Sequence, residues 1–326
     1  MQEYNENFNI ELGKKNKQLI MINRPTNFLP SEYTKQDNHF MKEHNFTEEE
    51  IVQGAIKEHK ELEKLFSDNN IAYKVFEQTH PDAHDSVYIS DCMICIKNED
   101  FPKGLLVICP MYWPNRQLEK YPHIYEWVNT KLGYQDIVDL SYFEKEGKAL
   151  EGKGVTLFDF KGRCLYVGET KRAHRDVIAK LAEVMTEKSG QKWEYFLVQN
   201  WDQKEKITHF HTSSYFMIFE TCAIVCGEIL KTKEHFEELK AKLEASGKEV
   251  FDCSYEEMNN GATLGVEYFQ ADGTNGLLLS DFCQDVSENV QNFFKKHFKK
   301  QLYLTAPILV DVGGSSLECL TQTIPL

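Results

Sequence analysis

The stretch that organises this sequence is its end, Gly313-Gly314-Ser315-Ser316-Leu317-Glu318-Cys319-Leu320-Thr321-Gln322-Thr323-Ile324-Pro325-Leu326. A pair of glycines permits a tight turn and the close approach of another group to the backbone. The alternating run that follows places Leu320, Gln322 and Ile324 on one face of a strand, and Cys319 on the other. Taken alone, this thiol fits a core cysteine, since free cysteines are among the most buried residues. Whether the thiol also has a chemical role depends on the rest of the chain.

The composition is that of an ordinary globular protein, with 41% hydrophobic and 27% charged residues. The net charge of −14 argues against a nucleic-acid partner, because phosphate binding rests on Lys and Arg, but it permits a cationic ligand. Nine cysteines without disulfide-like spacing favour reduced thiols and a cytoplasmic location. The polar start does not resemble a signal peptide, and no run reaches the roughly eighteen apolar residues of a membrane helix. We therefore predict no membrane partner.

Short predicted strands alternate with amphipathic helices along the chain. A polar extension, residues 1–17, precedes a first strand at 18–25, and we expect the first dozen residues of this extension to be frayed. A helix with acidic residues in its first turn is predicted at 47–67, and a long strand at 86–96. The pattern recurs in about four or five units of two or three strands and one helix, without a linker. It predicts a single, radially arranged α/β domain over residues 18–326.

Two polar stretches lie in loops or at strand ends, where functional residues usually occur. The segment 80–91 holds two histidines and three aspartates. His80, His84 and Asp85 are suitable metal ligands by type, but nothing downstream completes the set, so we predict no metal site here. Further on, Glu151 stands before a glycine-rich turn, where the glycines would let a ligand approach its carboxylate.

A third polar stretch, residues 208–214, stands at the start of a region that is otherwise the most apolar part of the chain. We expect a strand at 211–219, so that His209, His211 and Ser213 share one strand face. Two interpretations remain open. The His-x-His pair could bind zinc, or a single histidine could serve as acid and base for a distant cysteine, which need be close only in space.

In this order, the stretches resemble the guanidino-group-modifying enzymes, the pentein superfamily of arginine deiminases, dimethylarginine dimethylaminohydrolases and amidinotransferases. The family has an Asp segment, an acid–Gly segment, a His segment and a Gly-rich Cys segment, and all four occur here. Asn23-Arg24-Pro25 is a further match. The run from Cys109 to Arg116 and the triplet Arg172-Ala173-His174 especially resemble the bacterial citrulline-hydrolase or "amidinotransferase" branch.

The resemblance implies a pentein-type α/β propeller, with fivefold pseudosymmetric ββαβ units around a central site. It also implies covalent catalysis at a guanidinium carbon without metal or cofactor. Cys319 would be the nucleophile and His211 the general acid and base. Glu151, the third residue of the catalytic set, and Asp91 would hold the guanidinium through its N–H groups.

Three further residues, Asp85, Arg116 and Arg172, match positions that in relatives hold the amino-acid end of the substrate. The chain also departs from the family pattern. Ser213 replaces the second aspartate of arginine deiminases, which leaves room for a methylated guanidine or a ureido group. Asp91 is Asn in the citrulline-hydrolase branch, so its presence here favours a cationic guanidinium over citrulline.

Lys153 breaks the Gly-Gly-Asp that usually follows the acid, and the segment 261–268 carries Leu264 in place of that branch's Asn. We therefore predict a cytoplasmic hydrolase of arginine metabolism, which cleaves a C–N bond of arginine or a substituted arginine through an S-alkylthiouronium intermediate. The alternatives are an amidinotransferase, a citrulline hydrolase, or a non-catalytic pentein like the ribosome-binding translation factor of this fold. The expected partner is a small guanidino or ureido molecule. The oligomeric state stays open, with a homo-oligomer as one option.

Overall fold

The computed structural model describes residues 5–326, and these form five three-stranded sheets. The strands are β1 (Gln18–Arg24), β2 (Tyr73–Glu77), β3 (Met93–Ile96), β4 (Leu105–Ile108), β5 (Asp136–Asp139), β6 (Thr156–Asp159), β7 (Cys164–Val167), β8 (Glu194–Leu197), β9 (Phe216–Ile218), β10 (Cys222–Val225), β11 (Glu249–Asp252), β12 (Gly265–Phe269), β13 (Asn275–Ser280), β14 (Lys300–Leu304) and β15 (Gln322–Pro325).

The five sheets share one connectivity. In β3-β4-β5 the first strand is antiparallel to the second, and the second is parallel to the third. The sheets β6-β7-β8, β9-β10-β11 and β12-β13-β14 repeat this arrangement. In the fifth sheet, β15 from the end of the chain pairs antiparallel with β1, which pairs parallel with β2. The two chain ends therefore complete the fifth unit.

A helix joins the second and third strands of every unit, as a parallel strand pair requires. The helices are α1 (Glu6–Asn16), α2 (Glu48–Asp68), α3 (Pro122–Leu132), α4 (Gly152–Val155), α5 (Arg175–Ser189), α6 (Lys233–Ala245), α7 (Tyr255–Asn259) and α8 (Glu288–His297). The connecting ones are α2, α3, α5, α6 and α8. The predicted start of α2 is confirmed, since Thr47 and Glu50 form a capping box there. The repeating ββαβ unit is also confirmed.

Apolar residues of neighbouring units pack against each other and form the core. Tyr166 of β7 lies edge-on to Phe216 of β9 and also contacts Phe196 of β8, and all three rings are buried. The first strand of each unit lies at one edge of its sheet, and β15 contacts β3 just as β6 contacts β9. We call β3, β6, β9, β12 and β15 the inner strands.

The extension before β1 differs from the prediction. Residues 1–4 lie outside the described part, but Glu6–Asn16 is helical, with Asn5 as its N-cap. Ile10 is buried in a cluster with residues of β1 and β2, and the Glu6 carboxylate accepts a hydrogen bond of 3.0 Å from the Trp127 indole N–H. The expectation of a frayed end is therefore wrong for this segment, because tertiary contacts hold a helix of weak apolar character. The domain bounds 18–326 stay a prediction.

The inner strands are shorter at their N-terminal ends than the sequence pattern predicts. The strand predicted at 86–96 begins only at Met93, and that predicted at 211–219 begins at Phe216, after a 3₁₀ turn at Thr212–Ser214. The expectation that His209, His211 and Ser213 share a strand face is therefore wrong. Polar turns replace these strand starts. In the described part of the chain, no helix is both long and apolar enough to cross a membrane.

Candidate active site

The predicted catalytic residues lie in the turns just before the inner strands. Asp91 stands two residues before β3, and Glu151 immediately before α4, which leads into β6. His211 precedes the 3₁₀ turn before β9, and Cys319 stands three residues before β15. Because the inner strands are neighbours, their N-terminal ends bring residues from distant parts of the sequence into one site.

Three of these groups meet directly. The Cys319 Sγ, a ring nitrogen of His211 and a carboxylate oxygen of Asp91 all lie within 4.8 Å of one another. All three side chains are buried. The structure therefore brings a thiol, an imidazole and a carboxylate into one small, shielded volume, as nucleophilic catalysis by cysteine requires.

The glycine pair before Cys319 permits a close approach, as the sequence predicts. A Cβ on Gly313 would lie 1.8 Å from the Tyr88 Oη, and Gly314 has a φ of +62°. The Gly314 carbonyl accepts a hydrogen bond of 2.9 Å from the Asn38 side chain. Only glycines fit this turn without moving its neighbours, and the chain reaches Cys319 five residues after it.

The surroundings of Cys319 favour the neutral thiol. Burial raises the pKa of Cys319 well above its usual range, and the charges of Asp91 and Glu318 raise it further. The Ser316 hydroxyl, 3.7 Å from the Sγ, acts in the opposite direction. A thiolate at this position therefore needs a cation beside it.

Glu151 contacts the imidazole from the other side. Its Oε2 lies 3.0 Å from the His211 Nε2 and 3.2 Å from an Arg172 nitrogen, and its Oε1 accepts from the Tyr112 backbone N–H. Burial opposes ionisation of this carboxyl, but Arg172 and the hydrogen bond to His211 hold the pKa of Glu151 well below its usual range. Glu151 is therefore an ionised carboxylate that orients the ring and can stabilise its protonated form.

The glycines after Glu151 make room for its neighbours. A Cβ on Gly154 would lie 2.7 Å from the Asp91 Oδ1 and 2.8 Å from the His211 ring. A Cβ on Gly152, which has a φ of +41°, would lie 2.3 Å from the Ser90 carbonyl. The acid–glycine pattern in the sequence thus lets the candidate catalytic side chains approach the backbone.

Two buried arginines pair with the carboxylates of the site. Arg116 donates to Asp91 at 3.0 Å and holds Glu119 through two bonds of 2.6 and 2.9 Å. Arg172 donates to Glu151. The predicted substrate-binding arginines therefore lie against the two acids that were predicted to hold the guanidinium.

Asp85 completes the set of predicted residues. It is buried, and its Oδ2 accepts a hydrogen bond of 2.9 Å from the Asn115 side chain. Burial raises the pKa of Asp85, while the charges of Arg116 and Arg172 oppose this shift. Contacts thus join six of the predicted site residues, and Asp85 lies close enough to Arg116 and Arg172 for their charges to act on it.

Sequence reasoning missed Asp37, which lies between β1 and α2. Its carboxylate accepts two bonds from Arg172, of 2.5 and 3.3 Å, and one of 3.2 Å from the Trp113 indole N–H. Arg172 also stacks on the Phe210 ring, with its guanidinium carbon 4.1 Å from the ring centroid. Asp37 stands in an irregular polar segment, and no local pattern marks it.

Glu318 was also missed, although it precedes Cys319. Its side chain is buried, and within residues 5–326 its Oε2 has no hydrogen-bond partner. Burial raises the pKa of Glu318 to about 7, against the opposing effects of the Lys153 charge and a hydrogen bond from the Ser213 side chain. Ser213 and Lys153, two departures from the family pattern, therefore both act on this carboxyl.

The two histidines of the His-x-His pair have different partners. His209 lies 3.2 Å from the Asp202 carboxylate and 3.3 Å from the Ser214 hydroxyl, whereas His211 faces Glu151. Within residues 5–326, the one group of ligand types close enough to hold a metal ion is the Cys319 cluster described above. A zinc site built on both histidines does not fit this arrangement.

Residues 24–326 match the model of a protein family described as N,N dimethylarginine dimethylhydrolase, eukaryotic. The chain belongs to this family. No curated protein sequence matches this family member significantly. The predicted membership of the guanidino-modifying pentein superfamily is confirmed.

Solved structures share the fold of this dimethylhydrolase family member. The N-terminal domain of ArgZ, an arginine dihydrolase from the ornithine–ammonia cycle in cyanobacteria, aligns with a TM-score of 0.67 at 15% identity, covering 94% of this chain and 98% of that domain. Full-length ArgZ is covered over 40% of its length.

Two other structures align almost as well. Dimethylarginine dimethylaminohydrolase from Pseudomonas aeruginosa gives a TM-score of 0.63 at 12% identity, covering 94% of this chain and 98% of that one. SxtG, an amidinotransferase from Microseira wollei, gives 0.64 at 9% identity, with 93% of both chains covered. The pentein-type α/β fold is thereby confirmed.

Proposed function

We propose that this chain hydrolyses a C–N bond of a guanidino compound, arginine or an N-substituted arginine, through a covalent bond to Cys319. The observation that carries the proposal is the meeting of Cys319, His211 and Asp91 within 4.8 Å. A guanidinium carbon in contact with the thiol would have its N–H groups within reach of Asp91. The family match and the guanidino chemistry of the enzymes with this fold support the same assignment.

The charge of the site suits a cationic substrate. Four carboxyl groups contact the two arginines, a fifth lies within their electrostatic influence, and Asp91 also lies against the thiol. The carboxyl groups belong to Asp37, Asp85, Asp91, Glu119 and Glu151. A guanidinium bound beside Cys319 supplies the positive charge that the buried thiol lacks, so substrate binding itself would favour the thiolate.

The reaction then proceeds in two halves. The Cys319 thiolate forms a bond to the guanidinium carbon, and His211 donates a proton to the nitrogen that leaves as an amine or ammonia. The same ring then takes a proton from water, which attacks the S-alkylthiouronium carbon and releases the thiolate and a ureido product. Glu151 stabilises the protonated ring in both halves, through the 3.0 Å contact with its Nε2.

The amino-acid end of the substrate would engage the arginines. The substrate guanidinium takes the place of the Arg116 nitrogen at Asp91, while Glu119 keeps Arg116 anchored through its two hydrogen bonds. Arg116 and Arg172 are then available to an α-carboxylate, since arginine forms paired bonds with carboxylates. Asp85, on which the charge of Arg116 acts, would then pair with the α-ammonium group.

A product analysis tests the proposal. The protein is incubated with arginine, N,N-dimethylarginine, citrulline and agmatine, and the products are identified by mass spectrometry. We expect citrulline together with ammonia or dimethylamine, a trapped adduct at Cys319 after acid quench, and no turnover with Cys319→Ser. Full turnover by Cys319→Ser would overturn the mechanism.

The same experiment decides between hydrolysis and amidino transfer, the chemistry of SxtG. Glycine or another amine is added to the reaction with arginine. Ornithine with an amidinated amine, and no citrulline, would assign the chain to transfer, whereas citrulline as the main product supports hydrolysis.

A further inference from the structure

A cavity of about 1000 Å³ runs along the inner strands to the ends that lie away from the candidate catalytic residues. Each inner strand contributes its last or next-to-last residue to the lining, namely Ile96, Phe158, Ile218, Phe269 and Pro325. The catalytic residues stand before the first residues of the same strands, and none of the seven predicted site residues lines this cavity. We call it the axial cavity.

Two charged residues that are close in sequence to the candidate site, Lys153 and Glu318, face the axial cavity. The Lys153 ammonium makes one long hydrogen bond, of 3.4 Å, to the Thr323 hydroxyl, and within residues 5–326 it forms no close ion pair with Glu318. The Glu318 Oε2 is buried without a partner. Buried polar groups are normally hydrogen-bonded. Because the pKa of Glu318 is raised to about 7, its protonated carboxyl can donate from this atom, so Lys153 and Glu318 both have donor capacity to offer a ligand.

The lining carries a net positive charge in an acidic protein. Five lysines and three glutamates contribute to it, while the whole chain has a net charge of −14. Within residues 5–326, the amines of Lys15, Lys17 and Lys161 at the cavity form no ion pair. Lys248, by contrast, donates to the Glu220 carbonyl at 2.8 Å. A cavity of this charge attracts anions.

The walls between these charges are apolar. Phe158, Met217 and Phe269 are among the lining residues, and the volume is that of a typical small-molecule site. A small inorganic ion would make no apolar contact with these walls. The lining therefore matches a molecule with an apolar body and one anionic group.

We propose that the axial cavity is a second ligand site, which binds a small organic anion with its charged group beside Lys153 and its apolar body against the aromatic strand ends. This site is separate from the proposed catalytic one and does not depend on its chemistry. Carboxylates and sulfonates share the required character.

The position of Lys153 couples the cavity to the thiol. Lys153 follows Glu151 by two residues, and Glu318 is the residue immediately before Cys319 in the sequence. The negative charge of an ionised Cys319 acts to raise the pKa of Lys153, so the two groups interact electrostatically. An anion beside Lys153 offsets its positive charge, which favours the neutral thiol. A ligand in the axial cavity is therefore an inhibitor of Cys319 reactivity.

Fluorescence titration of the full chain with 8-anilinonaphthalene-1-sulfonate tests the site, because this probe is an anion with an apolar body. We expect one bound probe per chain and competition by octanoate. Lys153→Met weakens binding by about tenfold, whereas Lys153→Arg retains it. The matched control is Lys192→Met, an exposed lysine outside the cavity, which leaves binding unchanged. Equal affinity in Lys153→Met and the parent protein overturns the proposal.

A second variant tests the binding site independently, and an alkylation measurement tests its coupling to Cys319. Phe269→Ala removes apolar wall without touching the charge and is expected to weaken binding too, which covers the case that Lys153→Met does not fold. The rate at which iodoacetamide alkylates Cys319, measured on its peptide by mass spectrometry, falls severalfold with bound probe in the parent protein but not in Lys153→Met. An unchanged rate with bound probe overturns the coupling. Neither readout requires turnover, so a failure here is distinct from a failure of the proposed function.

Discussion

Glu151 and His211, 60 residues apart in the sequence, are joined by a contact of 3.0 Å between Oε2 and Nε2. The carboxylate is itself fixed by Arg172 and by the backbone N–H of Tyr112. This arrangement sets the orientation of the imidazole. In the proposed reaction, the ring nitrogen that faces away from Glu151 would exchange protons with the reacting groups.

Replacing Glu151 by Gln keeps the size of the side chain but removes its charge. We expect kcat for the guanidino substrate to fall by about a hundredfold or more, because the protonated ring loses its ionic partner. KM should change much less, since the arginines and Asp91 remain. Steady-state kinetics on Glu151→Gln checks this, with the exposed Glu183→Gln as a control. A kcat within twofold of the parent value would contradict the assigned role.

Alkylation of Cys319 by iodoacetamide should be slow near pH 7 and should rise about tenfold per pH unit. Burial and the charge of Asp91 raise the pKa of the thiol, so the reactive thiolate is scarce at neutral pH. Asp91→Asn removes one negative charge and is expected to speed the reaction at pH 7. All nine cysteines are buried, so modification is followed on the Cys319 peptide. A rate independent of pH between 6 and 9 would show that the thiol is already ionised.

The sequence predicts the residue types of the candidate site, their order and the repeating unit, because these depend on local patterns and on the family resemblance. It does not predict the contact between Asp37 and Arg172, which are 135 residues apart and marked by no periodicity. The alternation that predicts a strand at 211–219 fails at its start, since the 3₁₀ turn there is set by contacts with other units. Thr212, for example, donates to the Val155 carbonyl at 2.7 Å. Long-range polar contacts of this kind leave no local signal.

The buried carboxyl of Glu318 should make stability depend on pH. Its pKa is raised to about 7 in the folded protein, so folding favours the protonated form. Below the unfolded pKa, near 4.5, this group imposes no penalty; the penalty grows as pH rises and is complete above about pH 7. Its size is roughly 3 kcal/mol, from a shift of about 2.5 pH units.

Glu318→Gln should therefore raise the free energy of unfolding at pH 8.5 by up to about 3 kcal/mol, and much less at pH 4.5. Urea unfolding at both pH values measures the difference. The exposed Glu237→Gln on α6 serves as the control and should shift neither value. A gain of equal size at both pH values would mean that the carboxyl is not the titrating group.

Asp37 should control the affinity for the amino-acid end of the substrate without taking part in the chemistry. It holds Arg172 through two hydrogen bonds from a segment that is far away in sequence, and Arg172 in turn contacts Glu151. Asp37→Asn weakens this ion pair, so Arg172 becomes less well placed for an α-carboxylate. We expect KM for arginine-type substrates to rise about tenfold with a small change in kcat. Agmatine lacks the carboxylate, so its kinetics should change little, and an equal loss with both substrates would assign Asp37 to the catalytic network instead.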